Sequence, residues 1–152
     1  MSGRKITAQE EPLVGRALQT EAATLEVVAE LIRMLHWADF ETLIDLLIAR
    51  SGWQRVSRLG GSMKDADILV EQPLTGEVAF VQVKSASNQK ELDRYIDIFN
   101  EHAQCSRMIF ACHSPSGALE SNQPDVMVWT KLRLARMVFR QGLFDWLIAR
   151  TS

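Results

Sequence analysis

The first third of the chain has apolar residues at intervals of three and four positions, namely Leu25, Val28, Leu31, Ile32 and Leu35. This interval is typical of an amphipathic helix, because it places the apolar side chains on one face. We predict one helix from about residue 10 to residue 35 and a second over residues 39–51. A polar break at residues 36–39 separates them, and Gly52 ends the second helix.

The middle of the chain has short alternating or wholly apolar runs between turn residues, which indicates β-strands. The predicted strands cover residues 53–59, 67–71, 78–84, 108–112 and 126–129. Residues 72–77 are predicted to form a turn and residues 113–124 a loop. A helix is predicted over residues 89–101 with Ser87 and Asn88 at its cap. Further helices begin near Lys131 and end near Arg150.

The order of these elements is two helices, a three-strand meander, a helix, two further strands and the last helices. This order predicts an α/β fold in which helices flank a central sheet of mixed strand direction. We expect residues 1–36 to form an N-terminal helical extension and residues 37–152 to form the main domain, the two together making one compact unit.

The composition fits a single domain. The chain has 152 residues, of which 47% are hydrophobic and 24% charged, as expected of a soluble protein with a substantial core. No apolar run approaches the ~20 residues of a membrane span, and no apolar signal segment follows the first residues. We therefore expect a cytoplasmic protein whose two cysteines, Cys105 and Cys112, stay reduced.

The charge distribution is more informative than the net charge of −2. Positive charge is concentrated in two segments without acidic residues. One runs from Arg50 to Lys64 and the other covers residues 131–140. Contacts with phosphates need such local positive potential. Charged segments of this kind are also typical of solvated surfaces, so both interpretations stay open.

Three polar residues border apolar strands in the predicted meander. Asp67 opens one strand, and Gln82 and Lys84 lie at the end of the next. Gln82 and Lys84 are two positions apart, so their side chains share one face of the strand, and hairpin pairing brings Asp67 toward that face. The structural alternative is a cross-strand ion pair between Asp67 and Lys84, with Gln82 bonded to a neighbouring strand end.

Glu41 lies next to Phe40, at the edge of the apolar stripe of the second predicted helix, where its carboxylate can reach the sheet. Carboxylate and amide oxygens suit a hard cation such as Mg²⁺, which lowers the pKa of a bound water and offsets charge on a phosphate. Lys84 could orient or deprotonate that water, or balance the phosphate charge. Alternatively, Glu41 is solvated or pairs with Arg55 or Arg58.

These residues resemble the PD-(D/E)XK nuclease superfamily, and most of all the Mrr-type restriction endonuclease domain, whose motif is an aspartate followed by Gln-x-Lys. The resemblance covers the chain from about Trp37 to Leu147 and rests on Phe40-Glu41, Gly52-Trp53, Asp67 and residues 81–84. It implies a restriction-endonuclease-like fold and a metal-dependent phosphodiesterase centre. Carried over to this chain, the centre consists of Asp67, Gln82, the Val83 carbonyl, Lys84 and Glu41.

The approach to the aspartate departs from the Mrr-type pattern, which is close to Gly-Gly-x-Asp. Here residues 64–67 are Lys-Asp-Ala-Asp, and Gly60-Gly61 lies further upstream. Asp65 is therefore a rival for the acidic position, although Asp67 directly precedes the strand and is preferred.

The resemblance implies an endonuclease that hydrolyses DNA phosphodiester bonds with Mg²⁺ or Mn²⁺, on duplex or branched DNA. The alternative is a catalytically inactive module of the same fold that binds or regulates within a complex. The acidic N-terminal helices and the modest net charge favour this alternative. The N-terminal helices could also serve to form a homodimer.

Other chemistry-bearing residues indicate no second site. No recognised zinc pattern is formed by the spacing of His102, Cys105, Cys112 and His113. The predicted core includes four tryptophans that are spread along the chain, Trp37, Trp53, Trp129 and Trp146. The helix after Lys84 carries two polar residues that are interpreted as scaffold, Gln89 and Tyr95.

Overall fold

The structure of the chain is a computed structural model that describes residues 7, 8, 10–56 and 68–152. Five helices and five strands lie within these residues. In chain order they are α1 (Glu10–Arg33), α2 (Trp37–Arg50), β1 (Gln54–Arg55), β2 (Ile68–Glu71), β3 (Val78–Ser87), α3 (Gln89–Glu101), β4 (Arg107–Pro115), β5 (Val126–Thr130), α4 (Lys131–Arg140) and α5 (Phe144–Thr151).

The strands of the described residues form one sheet in the order β1-β2-β3-β4-β5. β1, β2 and β3 pair antiparallel, whereas β3, β4 and β5 pair parallel. The predicted α/β fold with a three-strand meander and two further strands is therefore confirmed. Since β3 is the strand at which the direction of pairing changes, the residues of its second half lie at the centre of the sheet.

The turn between β2 and β3 fixes their register. The Gln72 amide donates to the Glu77 carbonyl at 2.8 Å, and Gly76 adopts the left-handed conformation that the turn requires, with φ of +75°. In this register Ile68 lies opposite Val81. The first described residue of β2 is thus the cross-strand neighbour of the residue before Gln82.

Helices cover both faces of the sheet, but unequally. Ala79, Val81 and Val83 of β3 lie in one core with buried residues of α1, α2, α4 and α5. Phe80 lies on the opposite face, in a second core with residues of α3. Because side chains alternate along a strand, the polar residues at positions 82 and 84 belong to the face that α3 covers, which we call the α3 face.

The long helix α1 belongs partly to the core. Leu25, Val28 and Ile32 are buried together with Leu134 and Val138 of α4. The first half of the helix has no buried residue. The division into an extension over residues 1–36 and a main domain over residues 37–152 stays a prediction.

Several predicted boundaries differ from the structure. The predicted loop at residues 113–124 is wrong at its start, because β4 continues to Pro115, where it pairs with Ser87 of the equally extended β3. α2 begins at Trp37 and not at Asp39, since the His36 side chain accepts the Ala38 amide. Trp37 is 59% exposed and so is not a core residue.

The first predicted strand, over residues 53–59, is observed only at Gln54–Arg55. Its last residues, 57–59, lie outside the described part of the chain. Among the described residues, none of the helices combines the length and the apolar character that a membrane span requires.

Candidate active site

Gln82 is the most deeply buried polar residue of β3, with 3% of its surface exposed. Its Nε2 donates to the Tyr95 hydroxyl of α3 at 3.3 Å. Its Oε1 is buried and has no hydrogen-bond partner among the described residues. A buried acceptor without a partner is costly. This oxygen is therefore a candidate ligand atom for a bound cation or water.

Lys84 lies two residues further along the same face and is only partly buried. Its Nζ is 3.9 Å from Glu91 Oε2 and 5.3 Å from the centre of the Tyr95 ring. A carboxylate and an aromatic face both attract an ammonium group. The positive charge of Lys84 is therefore held beside Gln82 and over the same tyrosine.

The N-terminal turns of α3 hold both side chains. Asn88 caps the helix, its Oδ1 accepting the Glu91 amide at 2.8 Å. The Ser87 hydroxyl donates to Glu91 Oε1 at 2.6 Å, which leaves Oε2 for Lys84. Glu91 and Tyr95 are four residues apart and so lie on one side of the helix, which is the side that faces β3.

Asp67, and with it the rival Asp65, lies outside the described residues, so the assignment of either residue to the site stays a prediction. The neighbouring residues give its context. Ile68 is in the core of the face opposite to α3, and Leu69 packs on the α3 face. Ile68 is paired with Val81, the residue before Gln82.

Glu41 is half-buried on α2. Its neighbours Phe40 and Ile44 are in the core of the sheet face opposite to α3, so the helix that carries Glu41 and the pair formed by Gln82 and Lys84 lie on different faces. The Phe40 ring packs against His113 near the end of β4, with 4.6 Å between ring centres. The site role of Glu41 stays a prediction.

Other sequence predictions for the site have mixed outcomes. Arg55, considered as a partner of Glu41, binds both carboxylate oxygens of Asp45 at 2.9 and 2.8 Å. The Val83 side chain points into the opposite core, as the alternation of β3 requires, and the role of its carbonyl stays a prediction. Gln89 is scaffold as expected, since its amide binds the backbone of Glu120.

The sequence interpretation missed the direct roles of Tyr95 and Glu91. Tyr95 was interpreted as scaffold, yet its hydroxyl contacts the Gln82 amide. The four-residue spacing of Glu91 and Tyr95 was visible in the sequence and indicates a shared helix side. The spacing of Leu92, Tyr95 and Phe99 predicts the side of α3 that meets the sheet, but it does not give the position of the helix along β3, which depends on tertiary packing.

The described residues contain no group of three or more His, Cys, Asp and Glu side chains that could hold a metal. Cys105 and Cys112 are buried free thiols. Burial raises the pKa of both thiols. A metal at Gln82 would therefore need oxygen ligands other than a cluster of His, Cys, Asp and Glu among the described residues. The Gln82 Oε1 atom is a hard oxygen ligand of the kind that Mg²⁺ prefers.

One further buried polar residue lies near the site. His113 has a ring nitrogen 2.7 Å from the Ser114 hydroxyl, which also accepts from Arg33 Nε at 3.3 Å. Burial, and then the positive charge of Arg33, lowers the pKa of His113. Its side chain lies with Phe40 on the face opposite to α3, so it does not share the environment of Lys84.

The mixed five-stranded sheet flanked by helices is consistent with a restriction-endonuclease-like domain of the α/β class. Its central strand carries a buried glutamine and a lysine two residues later. The restriction endonuclease family model Mrr_cat matches residues 32–137. The match covers more than half of the chain, which therefore belongs to this family. No curated protein and no solved structure matches the chain.

Proposed function

We propose that this protein is a metal-dependent endonuclease that hydrolyses phosphodiester bonds of duplex or branched DNA. The family gives the nuclease class, and one observation supports the finer proposal. It is the buried Gln82 Oε1, which has no partner among the described residues and lies on the same strand face as the Lys84 ammonium.

Oxygen atoms would hold the cation, which is Mg²⁺ or Mn²⁺ in this proposal. Its ligands would be the Asp67 carboxylate, Gln82 Oε1 and the Val83 carbonyl, with Glu41 completing the shell or positioning a water. The bound cation would supply an activated water and offset charge on the phosphate. Tyr95 supports this assignment, because by occupying Nε2 it leaves the oxygen end of the Gln82 amide for the ligand role.

Lys84 would act on the attacking water and on the phosphate. As the water oxygen bonds to phosphorus it gives up a proton to solvent, and the ester oxygen leaves and takes up a proton from solvent. During this exchange negative charge grows on the phosphoryl oxygens. An ammonium within reach of them stabilises that charge without having to reorganise. Glu91 and the Tyr95 ring keep the ammonium on the α3 face, so we assign Lys84 to orienting the water and stabilising charge.

Cleavage of plasmid and labelled oligonucleotides with Mg²⁺, with Mn²⁺ and with EDTA tests the proposal. We expect cleavage only with a metal, and a loss of about 10²–10³-fold in Lys84→Ala. Asp67→Ala and Gln82→Ala should lose both cleavage and Mn²⁺ affinity. Lys90→Ala, an exposed lysine on α3, is the matched control and should cleave at the parent rate.

Separate alanine variants decide the open positions. If Asp65→Ala abolishes Mn²⁺ binding and Asp67→Ala does not, the assignment of Asp67 is wrong. Glu41→Gln should slow cleavage if Glu41 belongs to the shell. Cleavage by Lys84→Ala at the parent rate would contradict the mechanism. A folded parent that binds no Mn²⁺ would contradict the nuclease proposal and favour an inactive binding module.

The proposal includes a cytoplasmic location and a homodimer formed through the N-terminal helices. The exposed apolar residues in the first half of α1 support the homodimer. The location is supported by the family, because a nuclease of DNA acts where DNA is present, and fractionation of cells that express the tagged chain would test it.

A further inference from the structure

The first half of α1 extends beyond the core of the protein. We call residues 10–22 the arm. None of residues 11–20 is buried, and Leu13 and Leu18 are 63% and 62% exposed. An isolated helix of about this length is only marginally stable in water. The rest of α1 anchors the arm, whose exposed leucines leave an apolar helix surface available to a partner.

The apolar residues of the arm continue the stripe that the second half of the helix buries. Val14 and Leu18 precede the buried Leu25 and Ile32 at intervals of four and seven residues, so all four lie on one side of α1. This side of α1 is buried at Leu25 and Ile32, but it is exposed to solvent along the arm at Val14 and Leu18.

The arm is acidic. It carries Glu10, Glu11 and Glu21 against the single base Arg16, a net charge of −2. Glu10 belongs to the start of the helix, where its carboxylate accepts the Thr7 amide at 2.9 Å, so Glu11 and Glu21 are the acids that remain for contacts elsewhere. A covering surface should accordingly combine apolar contact with positive charge.

The outer side of α4 has this combination. Arg133, Arg136 and Arg140 are exposed and recur at intervals of three and four residues, which aligns them along the helix. Within residues 10–56 and 68–152, none of the three forms an ion pair, whereas Arg33, Arg55, Arg107 and Arg150 do so. Two exposed apolar residues flank the row, Leu132 and Phe139.

We propose that two copies of this chain form a dimer in which the arm of each copy lies on the outer side of α4 of the other. In its own chain, α4 packs against the buried second half of α1, and the arm continues the helix beyond those buried residues, so a second copy of the chain is the occupant that we assign. The 13-residue arm is about 20 Å long and α4 about 15 Å, so the arm is long enough to span the whole of α4, and the two surfaces are opposite in charge.

The arrangement is reciprocal, since a twofold dimer contains each arm–α4 contact twice. It rests on the proposed homodimer and specifies its contact surfaces, but it does not depend on DNA cleavage. For that reason the decisive measurement is the oligomeric state of the full chain without DNA or metal, by sedimentation equilibrium and light scattering.

Charge reversal on each surface and on both tests the contact. The arm variant is Glu11→Lys with Glu21→Lys, and the α4 variant is Arg136→Glu with Arg140→Glu. We expect the parent to dimerise and each variant alone to weaken the dimer on the order of 100-fold, because like charges then face each other. The combined four-residue variant should recover to within about tenfold of the parent.

A matched control carries the same charge change as the arm variant elsewhere. Glu71→Lys with Glu101→Lys alters two exposed acids outside both surfaces and should dimerise like the parent. Circular dichroism checks that α1 stays helical in every variant. A monomeric parent would overturn the proposal, as would weakening by the combined variant that equals the sum of the two single effects.

Two other occupants of these surfaces give different results, and each would also overturn the proposal. If the arms pair with each other, the α4 variant dimerises like the parent and only the arm variant is weakened. If α4 binds nucleic acid instead, the α4 variant dimerises normally and loses affinity for DNA in EDTA. Loss of cleavage with an intact dimer would count against the proposed nuclease and leave the dimer standing.

Discussion

Tyr95 contacts both polar side chains of β3, one through its hydroxyl and one through its ring. The hydroxyl accepts a hydrogen bond from Gln82 Nε2, and the ring lies 5.3 Å from Lys84 Nζ. The ring is also held from the other direction, since Arg94 lies 4.5 Å from its centre and Phe80 and Phe110 pack beside it. A single residue thus orients an amide and an ammonium together.

Tyr95→Phe separates these two roles, because it removes the hydroxyl and keeps the ring. We expect the free energy of unfolding to fall by only about 0.5–1.5 kcal/mol, the usual net value of one hydrogen bond. In the proposed nuclease, cleavage and Mn²⁺ affinity should fall about 10–100-fold, since the Gln82 amide loses its orientation. Urea unfolding and cleavage rates measure both, and unchanged cleavage would contradict a role for the hydroxyl.

His113 gives a prediction about pH. Because burial and Arg33 lower its pKa in the folded protein, the unfolded chain binds the proton more readily. The contribution of His113 to the free energy of unfolding is therefore complete above about pH 6.5, the ordinary pKa of histidine. It is lost as the pH falls from there to the lowered pKa of the folded protein. The parent should therefore lose stability as acidity increases through this range.

In His113→Gln this loss should be smaller, because the variant has no group at that position that gains a proton. The measurement is the free energy of unfolding in urea at about pH 7.5 and about pH 5.5, compared within each protein. His102→Gln, which changes a partly exposed histidine, is the control and should retain the parent's pH dependence. An equal loss in both variants would rule out His113 as its cause.

Among the elements, α3 could be predicted most completely from the sequence, and its observed limits are those expected. Its apolar residues Leu92, Tyr95 and Phe99 follow one helical period, and Asn88 supplies a strong cap signal. β4 could not be delimited in this way, because His113 and Ser114 read as polar loop residues. They remain in the strand because β3 also continues and pairs with Ser114 and Pro115, which is a tertiary effect.

The candidate site was predictable in part. The strand period of two places Gln82 and Lys84 on one face, and they lie there together. Their contacts with Tyr95 and Glu91 were not predictable, because they depend on where α3 lies along β3. The sequence also did not indicate which face of the sheet α2 covers. In the structure α2, which carries Glu41, packs on the face opposite to Gln82 and Lys84.

Asn88→Ala tests the contribution of the α3 cap to stability. The variant removes the acceptor of the Glu91 amide and should lower stability by about 1 kcal/mol, or roughly 2–4 °C in the thermal midpoint. Scanning calorimetry provides the measurement. Asn122→Ala, an exposed asparagine in the loop before β5, is the control, and an equal effect in both would show that the cap contributes nothing.

The whole molecule is asymmetric about its sheet. Among the described residues, four helices pack on one face and one helix, α3, packs on the other, so the side chains of the candidate site lie on the face with fewer helices. Charge is also unevenly distributed, because residues 1–49 carry four bases and eight acids while residues 50–152 carry thirteen bases and eleven acids. Opposite charges on the two ends of one chain favour association between copies.

The thermal midpoint should therefore depend on protein concentration. We expect it to rise between about 1 and 100 µM in the parent, because a dimer is stabilised by mass action. A chain lacking residues 1–20 should unfold cooperatively at a midpoint independent of concentration, since none of residues 11–20 is buried. Differential scanning fluorimetry at several concentrations measures this, and dependence that persists in the shortened chain would exclude the arm.

The packing of α1 against α4 and α5 has a consequence for the order of folding during synthesis. The buried half of α1 ends at Arg33, whereas the C-terminal helices that pack against it begin at Lys131. At roughly 5–20 residues per second, translation of the intervening segment lasts about 5–20 s. During that time Leu25, Val28 and Ile32 lack their native cover, so the nascent chain presents its earliest apolar stripe to chaperones until almost the last residues emerge.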